Sequence, residues 1–525
     1  MENHNSSIQK PTLVDLILSL FCFALGLTIY ISTLAPGLLR DDSAEFQTLA
    51  YTLGMTHATG YPVYILMAKV FTLLVPVSDI AYRVNLFSAV MGGICMALVY
   101  LAGRMLIGWR LPAVTGALVI GLDRIFWSQA IIAELYTASA AMVAAEFVLL
   151  FSWRRSGKWG YLFTAGLLGG LSLGVHNTVV LAAPAILIYL LISTKYRRDW
   201  LAALCGVAIG IALALSTYLA LDALNVPSGY FNSVAKPSLS VWGISAQDFE
   251  SPFQRLSFLY TAYQFRRFML DFTAFHKISQ LYFGGFDWTI YALAGLGLLR
   301  LIWRNWKEAL LIVIAYAIML GFVLTYSIID IYVFFIPTLV PLVLSVLSGL
   351  AGLMDVMDWC FARLHTERWS TWGTNLAGLV LVVLFMSPNI PVVQESLQEG
   401  YPVFLSSYGL DEMVYPVRTP DAPRQEAKAI VDGVEDNAII FTNWDLLYTF
   451  YYVADVEEGR MGMAFHETFP QDGVTKLAAT ARAYIDSNLG KRPIYTTEYS
   501  SELTRYYSLK KAGNIPKLYR IEARP

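Results

Sequence analysis

Arg40-Asp41-Asp42-Ser43-Ala44-Glu45, with His57-Ala58-Thr59-Gly60-Tyr61-Pro62 close behind it, stands directly after a long apolar run, Leu13 to Ile31. The sequence around this acidic island reads as membrane. Carboxylates at the mouth of a membrane helix are costly unless water or a partner solvates them. The segment therefore marks a place where a reactant carried by lipid and one carried by water can meet.

Composition sets the class. Hydrophobic residues make up 56% of the 525 residues and charged residues 14%, against about 25% charged in a soluble domain. The formal net charge of -2 argues against a nucleic-acid surface. Cys22, Cys95, Cys205 and Cys360 lie in or beside apolar stretches and form neither a CxxC pair nor a disulfide framework. The run from Leu13 to Ile31 is too long for a signal-peptide core and reads as an uncleaved first span.

A span needs roughly 20 apolar residues. The pattern predicts eleven, over about 12–32, 80–103, 111–128, 130–152, 160–176, 178–193, 201–220, 288–303, 309–326, 331–352 and 372–388. The block at 160–193 is broken at Val175-His176-Asn177-Thr178 and reads as two spans meeting near the outer surface. Arg104/Arg110, Arg154/Arg155/Lys158, Lys195/Arg197/Arg198, Arg300/Arg304/Lys307 and Arg363/Arg368 then all fall on one side, the cytoplasmic one. That places the N-terminus inside and the C-terminus outside the cell membrane.

Val63–Val75 is apolar but would extend only about 20 Å as a helix. It reads as an outer-surface helix. Phe46, Leu49, Ala50 and Leu53 recur at helical spacing before Gly54 and predict an amphipathic helix lying on the membrane. Two units result: residues 1–388, with outer loops 33–79 and 221–287, and a C-terminal extracytoplasmic α/β domain at 389–525. In the latter, Ala438–Thr442, Arg492–Thr497 and Lys517–Ile521 read as strands, and Val474, Leu477, Ala478, Ala481, Tyr484 and Ile485 as a helical stripe.

Asp42 and Glu45 share one helix face. They read either as a capping box, Asp42 capping and Glu45 reaching back, or as a general base that takes a proton from a hydroxyl, and the two are compatible. Asp41 is the weaker acid candidate. Glu134 sits near the outer end of a span, where an acid is a functional candidate; the structural alternative is a pair with Arg124. Glu146 lies deeper. His57, His176 and Arg266 are outer-side donors suited to a phosphate whose negative charge grows as its bond breaks; Arg266-Arg267 also suit lipid headgroups. No two histidines stand at metal-ligand spacing, so no metal is expected, and no nucleotide-binding glycine motif appears.

Taken together these residues resemble the GT-C superfamily of membrane glycosyltransferases. Within it the likeness is to bacterial membrane proteins related to the vertebrate O-mannosyltransferase acting on plexin-type IPT domains. That family carries an acid-Ser-Gly-Glu segment after the first span and a His-Pro-Pro-Gly-Tyr-Pro turn. Here they stand as Asp42-Ser43-Ala44-Glu45 and His57-Ala58-Thr59-Gly60-Tyr61-Pro62, with alanine for the glycine and Ala58-Thr59 for the two prolines. Further matches are Arg83 to Ala89, Trp127 to Tyr136, Leu171 to Thr178, and Tyr326 through Asp330 to Pro337. Trp242-Gly243 lacks the family's preceding asparagine.

The resemblance implies an inverting transferase that takes a hexose, mannose first, from a polyprenyl-phosphate donor on the outer face. The acceptor is a protein or glycan hydroxyl, and no cofactor is required. Asp42 and Glu45 are the expected catalytic pair. Donor phosphate and sugar fall to His57, Tyr61, Arg83, His176, Arg266 and Arg267. The acceptor or a second acidic site falls to Asp41, Glu134, Trp242, Asp330 and Tyr332. Two other classes compete. A proton-coupled transporter would use Glu134, Glu146 and Asp330 as a path, but such proteins usually show repeated halves, and no repeat is visible here. A noncatalytic envelope-assembly scaffold would not need acids on the first loop.

Overall fold

The computed structural model describes residues 10–364, 367–400, 420–470 and 475–524. The chain opens on α1 (Leu13–Ser32), started by a capping box between Thr12 and Asp15. Two shorter helices follow, α2 (Asp41–Thr52) and α3 (Pro62–Leu74), and then the 28-residue α4 (Ile80–Ile107), capped by Asp79. Next come α5 (Arg110–Gly121), α6 (Arg124–Ala130) and α7 (Tyr136–Ser156), with a 68° bend between α5 and α6. The run continues through α8 (Trp159–Ser172), α9 (Ala183–Ser193) and α10 (Arg197–Leu224). The later membrane-type helices include Trp288–Arg304, Trp306–Leu324 and Ile336–Leu364.

Among the described residues six helices are long and apolar enough to cross a membrane, or nine if each bent pair counts as one span. This count does not confirm the expected eleven, and the 160–193 block falls outside it. It forms the 14-residue α8, a 3₁₀ turn over Asn177–Ala182 and the 11-residue α9, each short of the ~20 residues a straight span needs. α8 instead packs backbone to backbone on α10. A Cβ on Gly166 would lie 2.2 Å from the Ala203 carbonyl oxygen, and one on Gly206 would lie 2.1 Å from that of Phe163. Small residues that let helices approach this closely are a mark of packing in lipid.

α2 also departs from expectation. It is not a surface helix, because every residue from Ser43 to Ala50 is buried. α3, α4 and the helix Trp444–Tyr451 pack around it. A helix covered by a later part of the chain needs no polar face, and its own sequence does not announce the cover. The capping-box reading fails as well: the N-cap is Arg40, with no side-chain cap bond.

The cations anticipated in loops gather at one end of the bundle. Arg104 and Arg110 meet Asp15 at 3.0 and 2.8 Å. Arg300 and Arg304 meet Asp355, which also accepts the Trp109 indole N–H. Arg154 faces Glu308, and Lys307 donates to the Ile192 carbonyl. α2, α3 and the C-terminal unit lie at the other end.

That unit carries a mixed five-stranded sheet, order β2-β1-β3-β5-β4: β1 Ile439–Thr442, β2 Ala464–Glu467, β3 Ile494–Thr496, β4 Tyr507–Lys511 and β5 Tyr519–Ala523. β1 runs parallel to β2 and β3; β5 is antiparallel to β3 and β4. Three of these strands were anticipated; β2 and β4 were not. The helix Ala479–Asn488 carries Ala481, Tyr484 and Ile485 of the expected stripe; Leu477 and Ala478 precede it, and Val474 lies outside the described residues. The unit docks on the acidic loop through Arg40 with Asp445 (2.9 Å) and Glu426, and through Arg424 with Asp79.

The charge distribution predicts opposite sides for the two ends. With the native cysteines replaced by alanine, Ser487→Cys should react with an impermeant maleimide in intact cells. Ser156→Cys should react only after permeabilisation. The reverse pattern, or equal labelling, would overturn the orientation.

Candidate active site

Glu45 has no exposed surface. Its Oε1 accepts the backbone N–H of His57 at 2.8 Å, and its Oε2 pairs with His57 Nδ1 at 2.5 Å. Both oxygens are therefore held by one residue of the turn that follows α2. Burial alone would pull the imidazole down; the Glu45 and Asp42 carboxylates outweigh it and hold His57 up to about 10. The pairing thus favours the protonated imidazole.

The other ring nitrogen, Nε2, faces Asp42 Oδ2 at 3.7 Å. Asp42 Oδ1 accepts the indole N–H of Trp444 at 2.8 Å. The Asp42 side chain keeps 35% of its surface exposed, so of the two expected catalytic acids it is the one open to a reactant. Glu45 cannot take a proton from an outside hydroxyl while His57 holds both of its oxygens; it positions His57. The Trp444 ring also meets His57 edge-on at 5.6 Å and Tyr230 at 6.3 Å.

Around this core the fold collects most of the predicted residues. Tyr61 lies at 5.4 Å from the His57 ring and 5.8 Å from that of His176. His176, buried at the break after α8, is boxed by Tyr136 and Phe334 and hydrogen-bonded to Thr178. Glu134 lies in the non-helical link between α6 and α7, not inside a span, and its main chain is pinned to Ser88 of α4. Arg124 is exposed while Glu134 is buried, and no described ion pair joins them. Asp330 opens the 3₁₀ turn Ile331–Phe335 and acts electrostatically on Glu134, Tyr136 and Tyr332. Three separate chain segments thus bring acids toward one point.

Four predicted residues make their described contacts away from the acids. Arg83 donates to the backbone carbonyls of Val77, Thr72 and Ser78 and staples the α3–α4 link. Trp242 is buried against Phe258 and takes the Tyr263 hydroxyl on its carbonyl, inside the second outer loop and not at the acids. Arg266 and Arg267 sit in the turn Tyr263–Phe268, stacked over Tyr263 and Phe268 at 4.7 and 4.6 Å. That turn is tied by its backbone to the segment before Asp330, the Phe268 carbonyl accepting Ser327 N–H at 3.0 Å.

Trp444 is the residue that sequence reasoning missed. It follows the N-cap Asn443 immediately after β1. The carboxyl end of a strand in an α/β sheet is where such folds place ligand-contacting residues, and that position is the one signal the sequence offered.

These features define a class: an α-helical membrane bundle with an acid-and-imidazole site at one end, roofed by an α/β unit. The fold is similar to that of two solved GT-C structures. It superposes on ArnT from Cupriavidus metallidurans with a TM-score of 0.50 at 12% identity, over 96% of this chain and 97% of that one. It superposes on the Archaeoglobus fulgidus oligosaccharyltransferase with a TM-score of 0.52 at 11% identity, over 91% and 69%. More particularly, residues 42–200 match the family model described as "Protein O-mannosyl-transferase TMEM260 N-terminal domain". The protein of that name from Mus musculus is 27% identical over 185 residues, covering 34% of this chain and 26% of the relative. The one from Dictyostelium discoideum is 22% identical over 139 residues, covering 26% and 17%. The chain thus spans about a quarter of the length of the mouse relative it matches. The matched region holds Asp42, Glu45, His57, Glu134 and His176.

Asp41 gives a pH test. Burial first, then the neighbouring Asp445 and Asp42 charges, push its carboxyl up to about 7. The folded chain therefore holds a proton that the unfolded chain, with an ordinary Asp near 3.9, releases earlier. Stability should fall as pH rises from about 4 to 7. Asp41 has φ +52°, a region that asparagine also tolerates. Asp41→Asn should match the wild type in thermal unfolding at pH 4.5 and exceed it at pH 8. An equal pH response in both proteins would refute the assignment.

Proposed function

We propose that this chain is an inverting glycosyltransferase. It moves a hexose, mannose as the first expectation, from a polyprenyl-phosphate donor to a hydroxyl acceptor, protein Ser/Thr in the first instance, at the outer face of the cell membrane. In this reading the protein is multi-pass, with a cytoplasmic N-terminus and an extracytoplasmic C-terminal unit. The observation that carries the reading is Asp42, a part-exposed carboxylate held between the Trp444 indole N–H and the His57 imidazolium. The similarity to O-mannosyltransferases over the segment that contains it supports the same reaction class.

In the proposed step the acceptor oxygen attacks the anomeric carbon from the face opposite the phosphate. The new C–O bond forms as the bond to phosphate breaks, and configuration inverts. Asp42 takes the hydroxyl proton. The polyprenyl phosphate leaves with the bonding electron pair, so no acid is needed to protonate it. Its growing charge is met by the His57 cation and by Arg266 and Arg267. The donor arrives already activated, so the step as proposed calls on no cofactor or metal. Glu45 acts through His57, and Trp444 acts by fixing the Asp42 rotamer.

Transfer from a radiolabelled polyprenyl-phosphate mannose tests the reading. Asp42→Asn should lower turnover by about 10²–10⁴-fold, the range of a positioned general base. Trp444→Phe keeps the ring but removes a hydrogen bond to a charged group, worth ~1.5–3 kcal/mol, and should cost about tenfold or more. Near-normal turnover of Asp42→Asn would exclude Asp42 as the base.

The loop arginines give a separate expectation. Arg266→Lys keeps charge but not the two-point grip on phosphate, so it should weaken donor use. Arg266→Ala should weaken it further, by ~2–4 kcal/mol if it acts as an oxyanion donor does. If Arg266 only anchors the loop to headgroups, the Ala variant will use a short-chain, water-soluble donor normally in detergent.

A further inference from the structure

The C-terminal unit has a second concave surface, separated from Asp42 by a thin wall. Asn225–Pro237 of the outer loop and the β2 side of the sheet enclose a cleft of ≈ 640 Å³, within the ~300–1,000 Å³ of ligand pockets. Its charged lining residues are Lys236 and Arg492, the latter donating to the Asn437, Ala438 and Gly462 carbonyls, and no Asp or Glu is among its described lining residues. Lys236 is exposed, and its Nζ donates to Asn232 Oδ1 at 2.7 Å, which sets the ammonium in one place. Met461 is 54% exposed beside the Tyr484 ring. An exposed methionine is an adaptable apolar contact.

His466 supplies the polar floor. It is 5% exposed, and its Nδ1 donates to the Ser233 carbonyl at 3.2 Å. Burial holds the imidazole down to about 4, so it is neutral and Nε2 carries a lone pair. That Nε2 is buried and has no hydrogen-bond partner. A buried acceptor without a partner is destabilising, and a donor from a bound molecule would satisfy it.

The cleft does not extend the sheet. β2 is an edge strand, but the Tyr451 hydroxyl takes Phe465 N–H at 3.1 Å and donates to the Phe465 carbonyl at 2.9 Å. The edge is plugged at its middle, so recognition falls to side chains. On its inner side the wall runs from His466 through Ser233 to the Tyr448 hydroxyl at 3.3 Å, then to Trp444 at 5.3 Å between rings. Trp444 is the residue that holds Asp42.

We propose that this cleft docks the acceptor polypeptide through an acidic side chain; the inference rests on the glycosyl-transfer reading above. The acid meets Lys236, a backbone N–H donates to His466 Nε2, and an apolar side chain covers Met461 and Tyr484. The same chain then passes the wall toward Asp42. Charge complementarity selects the occupant: a cationic, acid-free, part-apolar cleft fits an acidic peptide with apolar neighbours and rejects a basic one.

The test uses full-length protein in detergent and two fluorescein-labelled hexapeptides, Leu-Glu-Leu-Thr-Glu-Leu and Leu-Lys-Leu-Thr-Lys-Leu, with binding read by anisotropy. The wild type should bind the acidic peptide at least tenfold tighter, and added salt should reduce the difference. Lys236→Glu should abolish or invert that preference. His466→Phe, of similar size, should weaken the acidic peptide about fivefold or more. Lys236→Glu should leave acceptor-free hydrolysis of the donor unchanged. Should Lys236→Glu fail to fold, the charge preference and salt response of the wild type decide. Equal binding of both peptides by the wild type overturns the proposal, as does tighter binding of an acidic oligosaccharide than of the acidic peptide. Charge-selective binding without sugar transfer would sink the transferase reading and keep the cleft; transfer without charge-selective binding would sink the cleft alone.

Discussion

A carboxylate with no exposed surface has to be paired, and Glu45 is paired with His57 through both of its oxygens. Taking a charge out of water costs several kcal/mol even after relaxation. The cost is offset here because one residue supplies two donors, a backbone N–H and a cationic ring. The turn after α2 is thereby tied to the helix, and the direction of the imidazole is set. Its second nitrogen then has one way to point, at Asp42. The orientation of the site depends on that buried pair.

The second constraint is the roof. α2 is buried along its length because the helix Trp444–Tyr451 lies on it. Polar contacts hold the two in register: Thr48 Oγ1 to the Tyr448 carbonyl, Arg40 to Asp445, and Trp444 to Asp42. Ion pairs of this partly exposed kind contribute little stability singly. They fix geometry instead. The C-terminal unit is accordingly part of the site, since it supplies the donor that orients the open carboxylate.

Polar residues in the bundle itself are sorted by end. Asp15, Asp355 and Glu308 gather arginines at one end, where Lys307 donates to the Ile192 carbonyl; Asp41, Asp42, Glu45, Glu134 and Asp330 converge at the other. Between them the packing is largely apolar, with glycine seams such as that between α8 and α10 allowing close approach. An arrangement with acids at one end and compensated cations at the other suits a protein that works at a single membrane face.

The sequence by itself determined the class and the raw material. Long apolar runs, cations confined to loops, and the acids after the first run were legible because span length and charge cost are local properties of the chain. So were Asp42, His57, His176, Glu134 and Asp330 as candidates, and strands β1, β3 and β5. It was not legible that Glu45 is sealed while Asp42 is open, since both are acids on one helix face and only the covering helix distinguishes them. Nor was it legible that Arg83 would satisfy three backbone carbonyls, or that a tryptophan some four hundred residues away would hold Asp42. The tertiary structure decided these points. Exposure, rotamer and hydrogen-bond partner are set by what packs against a side chain, and here the packing partners come from distant segments that carry no local mark of where they will land.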